Sequence, residues 1–269
     1  MCTSFVLYEG DKTFIGMNFD LSDRPIKLAL KGRDQLIVYQ QEGGRFLPAF
    51  GFTASGTFMN LLMVEANEAG RYRRGKGCVH IIRLFDMVLG GKVGLEELDA
   101  YLADKTVVNV PGISVHSLVA GVDRRAMIVE PGRGNVPFGA SQDFFVLTNF
   151  PLTDFVDRDV GEVSGAGAER YQTCHQMLTD RQQPFTVEQG QAILAETSQP
   201  VGDYPTQLSM LAVPDEGIIH FWARRDFAQC YTFSFADRTV YVGDGVEWAM
   251  GKKGILISRV VTGHRGEKG

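Results

Sequence analysis

The sequence has little from which to build a metal centre, a disulfide framework or a membrane anchor. Its four cysteines, Cys2, Cys78, Cys174 and Cys230, lie far apart with no CxxC pair. That excludes the usual spacing of a structural zinc site and suggests no disulfide scaffold. The five histidines show no H-E-x-x-H or related spacing, and Cys174 and His175, neighbours on an expected helix, point to different faces. Neither a metal nor a cofactor is expected. No apolar run approaches the roughly 18 residues of a membrane span, and residues 1–8 lack the basic stretch and apolar run of a signal peptide. A soluble, cytoplasmic protein is the expectation. Positive charge is not in excess: 27 basic against 32 acidic residues give a formal net charge of −5, which argues against nucleic acid or a membrane surface as the partner. No G-x-S-x-G elbow occurs, so an α/β-hydrolase is disfavoured. Gly165-Ala166-Gly167-Ala168 lacks the third glycine and the preceding strand of a dinucleotide fingerprint. The basic run Arg71, Arg73, Arg74 and Lys76 reads as a solvated loop, and Cys78 and Cys230 as buried small apolar residues.

What is present is a chain of 269 residues, 44% hydrophobic, able to bury a large core and read as one domain over residues 1–269. Residues 2–8 and 13–20 are rich in β-formers around the turn Glu9-Gly10-Asp11-Lys12, which predicts a hairpin. Further strands are predicted at 35–40, 57–64, 114–122, 126–130, 144–150, 207–213, 218–222, 231–235 and 239–242. Apolar spacing predicts helices at 79–89, 95–102, 168–178 and 187–196, the last opened by Thr186 and Gln189 as a capping box. Runs of strands followed by helix pairs, twice over, predict an α+β sandwich of antiparallel sheets covered by helices. The tail from Arg265 to Gly269 is expected to fray.

A cysteine at position 2 is small enough for the initiator Met1 to be removed, after which one residue carries both a thiol and a free α-amine. The amine has a reference pKa of ~7.7–8.0 and the thiol ~8.5, so a proton moves between them at little cost near neutrality. Such a nucleophile needs no histidine. A hairpin turning at Gly10-Asp11 pairs residues whose numbers sum to about 21 or 22, setting Cys2 opposite Phe19 or Asp20. Asp20 then reaches the N-terminus and can orient the amine.

Met1-Cys2-Thr3-Ser4-Phe5, Gly16-Met17-Asn18-Phe19-Asp20 and Val146-Leu147-Thr148-Asn149-Phe150-Pro151 together resemble the choloylglycine hydrolase family, the penicillin V acylases and bile salt hydrolases. His116 to Asp123 running into Met127 to Glu130 resembles that family's central strand pair. The resemblance covers about residues 1–150 well and the remainder loosely. It implies a four-layer αββα N-terminal-nucleophile (Ntn) hydrolase fold and a cysteine amidohydrolase. Cys2 would attack the carbonyl of a linear N-acyl amide, a small-molecule partner, to give a thioester that water hydrolyses. It assigns Asn149 to the oxyanion, Asp20 to the α-amine, and Arg170, at the start of a helix, to the arginine found in the ceramidase-like branches. The pattern also departs. Met17 stands where the family has arginine, which removes a positive charge beside the nucleophile. A later family arginine falls near Gln207, and a second oxyanion asparagine falls at Met63, with Asn60 close by as its other counterpart. Either Arg24 or Arg170 then replaces the missing charge, or the substrate is more apolar, with Met17, Asn60 and Met63 at its pocket. An acyltransferase using an amine acceptor, or a non-catalytic binder of an acylated ligand, are the alternatives. Relatives that form tetramers leave a homo-oligomer open.

Overall fold

The computed structural model describes residues 2–139, 141–243, 245–250 and 253–257. Met1 and the tail read as frayed lie outside the described residues. In chain order the strands and helices begin with β1 (Cys2–Glu9), β2 (Lys12–Asp20), β3 (Ile26–Lys31), β4 (Gln35–Glu42), β5 (Arg45–Thr53), β6 (Phe58–Asn60) and β7 (Leu62–Met63). There follow β8 (Cys78–His80), α1 (Ile81–Leu89), α2 (Leu98–Ala103), β9 (Thr106–Val108), β10 (Val115–Ala120), β11 (Ala126–Glu130), β12 (Gly134–Pro137) and β13 (Phe144–Leu147). The remainder is α3 (Ala168–Thr179), α4 (Val187–Glu196), β14 (Thr206–Val213), β15 (Ile218–Ala223), β16 (Tyr231–Ser234), β17 (Thr239–Val242), β18 (Val246–Ala249) and β19 (Ile255–Leu256).

Two antiparallel sheets dominate. One runs β13-β1-β2-β14-β15-β16-β17-β18; the other runs β12-β11-β10-β6-β5-β4-β3-β19, with β7 added to β10. Successive side chains of a strand face opposite ways, and β1 uses both. Cys2, Val6 and Tyr8 join the core between the sheets, where Met17 and Phe19 of β2 meet Phe50, Phe58 and Leu62 of the second sheet. Phe5 and Leu7 face outward, onto Cys174 and Leu178 of α3 and Ile193 and Leu194 of α4. On the far side, α1 presents Ile81, Leu84, Phe85 and Val88, spaced i, i+3, i+4, i+7, to Met59, Val119 and Val129 of the second sheet. The order of layers is therefore helix, sheet, sheet, helix.

Several local expectations are corrected. The helix predicted from Val79 starts at Ile81, because Cys78–His80 pairs in parallel with β9 and the His80 ring accepts from the Arg83 amide at 3.1 Å as an N-cap. The strand predicted over 57–64 is two pieces; at the break, the Leu61 amide turns to the Ala49 carbonyl at 2.8 Å. The segment at Leu95 opens as a 3-10 turn, with the α-helix starting at Leu98. Thr186 accepts from the Gln189 amide, but the Gln189 side chain bonds Gln182 and Pro184, so only half of the capping box forms. Cys78 and Cys230 are half-buried rather than buried. Among the described residues no helix is long and apolar enough to cross a membrane.

Candidate active site

The β1–β2 hairpin turns so that Cys2 lies opposite Phe19 and Ser4 opposite Met17. Asp20, one residue beyond, pairs instead with Thr206 of β14. The Cys2 thiol points toward the Asp20 carbonyl oxygen, 3.9 Å away. On the other flank β13 pairs with β1 through Ser4↔Leu147, and the chain continues into Thr148-Asn149 beside the nucleophile. The Cys2 amide donates to Asn149 Oδ1 at 2.6 Å, and the Asn149 side-chain amide donates to the Met63 carbonyl at 2.7 Å.

Arg170 joins these groups. Its Nη1 donates to the Cys2 carbonyl at 2.6 Å, to Thr3 Oγ1 at 2.7 Å and to Asp20 Oδ2 at 3.4 Å, while Nη2 donates to Asn149 Oδ1 at 2.9 Å. The planar fork of a guanidinium suits this divergent set of acceptors. Gly167, at φ 81°, opens α3; a Cβ there would stand 2.6 Å from Arg170 Nη2 and 3.1 Å from Thr148, so a residue without a side chain is needed. Asp20 is gripped further by Thr206 Oγ1 at 2.6 Å and Gln199 Nε2 at 2.8 Å. Neither Gln199 nor Thr206 stood out in the sequence, since each reaches Asp20 from more than 170 positions away.

Burial pushes the Cys2 thiol up to about 11; the Asp20 carboxylate adds to this and Arg170 works against it. Burial also drives the Asp20 carboxyl above its usual range, against the pull of Thr206, Arg170 and Gln199. The thiol is therefore held mainly as the neutral acid in this arrangement, with an activating base needed to ionise it.

The remaining predicted residues fall differently. Met17 and Asn60 are fully enclosed. Asn60 donates to Ser4 Oγ at 2.8 Å, approaches the Met17 sulfur at 3.9 Å, and accepts from the Leu118 amide at 2.8 Å. It ties the sheets together directly behind the hairpin. Met63 is half exposed and, with Asn149, Phe150, Pro151 and Phe155, borders a cavity of about 460 Å³. Arg24 pairs with Glu42 at 3.5 Å and with Ser22, away from Cys2, so the cation beside the nucleophile is Arg170. Gln207 sits at the bulge between Thr206 and Leu208 on β14. Among the described residues no group of three or more His, Cys, Asp or Glu side chains is placed to hold a metal ion.

A sandwich of two antiparallel sheets between helix pairs, with the first strand starting beside Asp20 and Asn149, is the Ntn-hydrolase fold. Solved structures of that class superpose on it. The C2A mutant of conjugated bile acid hydrolase from Clostridium perfringens matches with a TM-score of 0.65 and 14% identity, over 90% of this chain and 96% of that one. Penicillin V acylase from Agrobacterium tumefaciens matches with a TM-score of 0.60 and 14% identity, over 82% and 83%. The Caenorhabditis elegans ortholog of N-acylethanolamine-hydrolyzing acid amidase matches with a TM-score of 0.53 and 16% identity, over 79% and 93%. These are Ntn hydrolases of the choloylglycine hydrolase-like group. No protein-family model matches the sequence, and no curated protein matches it significantly.

Proposed function

We propose that this chain is a cysteine amidohydrolase that cleaves a linear N-acyl amide through a thioester on Cys2. The observation that carries the reading is the convergence of Arg170 on Cys2, Asp20 and Asn149, three residues from three separate segments, at the edge of a cavity. Removal of Met1 would expose an α-amine at the nitrogen that now donates to Asn149. That amine takes the thiol proton, the sulfur attacks the substrate carbonyl, and the proton passes on to the departing amine. Water, deprotonated by the same amine, then releases the acid. The Asn149 side-chain amide, now on the Met63 carbonyl, turns its donor to the developing oxyanion, a contact typically worth ~3–4 kcal/mol of barrier. Arg170 and Asp20 hold the nucleophile in place, and Arg170 carries the positive charge that Met17 does not supply.

The cavity supports a substrate class. Among its described lining residues the ionisable side chains are Glu65 and Asp154, both acidic and exposed; the rest are mainly apolar or aromatic. A substrate that is neutral or cationic where it meets this wall is favoured over one bearing a carboxylate or sulfonate there. An amine that intercepts the thioester in place of water would make the chain an acyltransferase, and product analysis separates the two. The test is the intact mass of purified protein before and after incubation with a panel of N-acyl amides, alongside Cys2→Ala. Loss of Met1 and an acyl adduct absent from the variant are expected. Retained Met1 with no adduct from any amide would sink the reading in favour of a non-catalytic binder.

A further inference from the structure

Behind the Thr148-Asn149 strand end lies a pair of ionisable groups that acyl transfer at Cys2 does not use. His116 on β10 and Glu130 at the end of β11 fall opposite each other when the register Ser117↔Val129 is continued by one residue. Both side chains are enclosed, at 0% and 1% exposure. His116 Nδ1 lies 2.7 Å from Glu130 Oε1, and Nε2 lies 2.7 Å from the Thr148 carbonyl oxygen. A carbonyl can only accept, so Nε2 carries a proton. Glu130 Oε1 also accepts from the Leu152 amide at 2.7 Å, while Oε2 accepts from the Thr153 amide at 2.9 Å and hydroxyl at 2.6 Å. Three donors besides the imidazole are the surroundings of an ionised carboxylate. Burial acts to raise the Glu130 pKa, but the bonds from His116 and Thr153 outweigh it and hold the carboxyl below its usual range. Nδ1 faces that carboxyl group, so the His116 ring bridges Glu130 and the Thr148 carbonyl.

The placement of this pair says what it does. It belongs to the second sheet, yet it holds a segment that leaves the first sheet: Thr148 at one end, Leu152 and Thr153 at the other. Between these anchors lie Asn149, Phe150 and Pro151, and all three border the cavity. Apolar packing would join the sheets at less desolvation cost than a buried pair of ionisable groups. Directed bonds at both ends fix the course of the chain between them, which packing alone does not do. We propose that His116 and Glu130 are positioning residues that fix the backbone carrying Asn149, so that its side-chain amide stands within a turn of where an oxyanion forms. The kinetic consequence rests on the amidohydrolase reading; the structural one does not.

Glu130→Gln in the full-length protein tests this with two readouts. The first is kcat and KM for an N-acyl amide that the wild type hydrolyses. The second is the Asn149 side-chain amide cross-peak in a 1H–15N NMR spectrum, assigned by its loss in Asn149→Ala. We expect kcat to fall about 100-fold with KM little changed, as for a misplaced oxyanion donor, and the Asn149 cross-peak to shift or broaden. An unmoved cross-peak, or full kcat in a folded variant, overturns the proposal. If the wild type hydrolyses no amide, the amidohydrolase reading fails and the cross-peak alone decides the positioning role. Should Glu130→Gln not fold, Thr153→Ala removes one donor from the carboxylate and leaves the pair; a smaller kcat loss and a shifted cross-peak are expected, and the absence of both would overturn the proposal.

Discussion

At the scale of single residues, the site depends on Arg170 more than any spacing in the sequence shows. A helix arginine is ordinarily a solvent-facing residue, and only the resemblance gave Arg170 a role. Its four acceptors come from segments up to 168 positions away, a juxtaposition no local pattern encodes. Gln199 and Thr206 were illegible for the same reason. Cys2 and Asp20 were legible because a hairpin register is local; Asn149, like Arg170, took its role from the resemblance. The Arg170 side chain is 12% exposed and that of Asp20 0%, and removing one partner of such a buried pair typically costs ~3–5 kcal/mol. Arg170→Ala should lower the unfolding free energy measured in urea by an amount in that range. Arg170→Lys keeps the charge but not the fork, so it should recover part of the stability and little of the kcat. Equal kcat in Arg170→Lys and wild type would show that charge alone matters. Cys2 offers a second check. With its thiol held up to about 11 while Met1 is attached, its iodoacetamide alkylation, followed by peptide mass, should rise about tenfold per pH unit from pH 7 to pH 10. A plateau near pH 8 would mean the thiol is not so enclosed.

At the scale of elements, β2 was legible in spite of Gly16, whereas β3, β5 and β12 were not. β5 carries Pro48 and Gly51, which argue against a strand, and it tolerates the proline because the register slips between Val38 and Tyr39 of its partner. β12 contains Gly134 and Pro137 and lies at the edge of its sheet, where a missing amide donor is harmless. The hairpin was read with an ambiguity of one residue; the structure takes the pairing that puts Phe19, not Asp20, against Cys2. That register is locked by size as well as by the turn. Gly16 lies opposite Phe5, and a Cβ at Gly16 would stand 2.1 Å from the Phe5 ring. Gly16→Ala therefore has to push the ring or the strand aside, and over-packing of this kind costs about 1–3 kcal/mol. A lowered melting temperature is expected, with partial recovery in Gly16→Ala combined with Phe5→Leu. An unchanged melting temperature would show that the ring moves freely.

At the scale of the molecule, the order of strands and helix pairs was enough to read the layers, because each helix stripe and sheet face must find an apolar partner. What it could not show is how the two sheets are fastened beside the site, since His116 and Glu130 read as ordinary strand residues until their strands are paired. That fastening has a pH signature. Glu130 has a depressed pKa in the fold and about 4.3 in the unfolded chain. The unfolded state therefore binds the proton first as pH falls. The stabilisation from the ionised carboxylate is complete above about pH 4.3 and is lost as pH drops through the lower, folded value. Asp20 works in the opposite sense, its raised carboxyl favouring the fold at lower pH, but it is common to wild type and Glu130→Gln and cancels between them. The urea midpoint of wild type should thus exceed that of Glu130→Gln near neutrality, and the gap should close as pH is lowered from about 5 toward 3. A gap that stays constant over that range would mean that Glu130 contributes through shape rather than charge, and the account of the join between the sheets as resting on an ionised carboxylate would have to be abandoned.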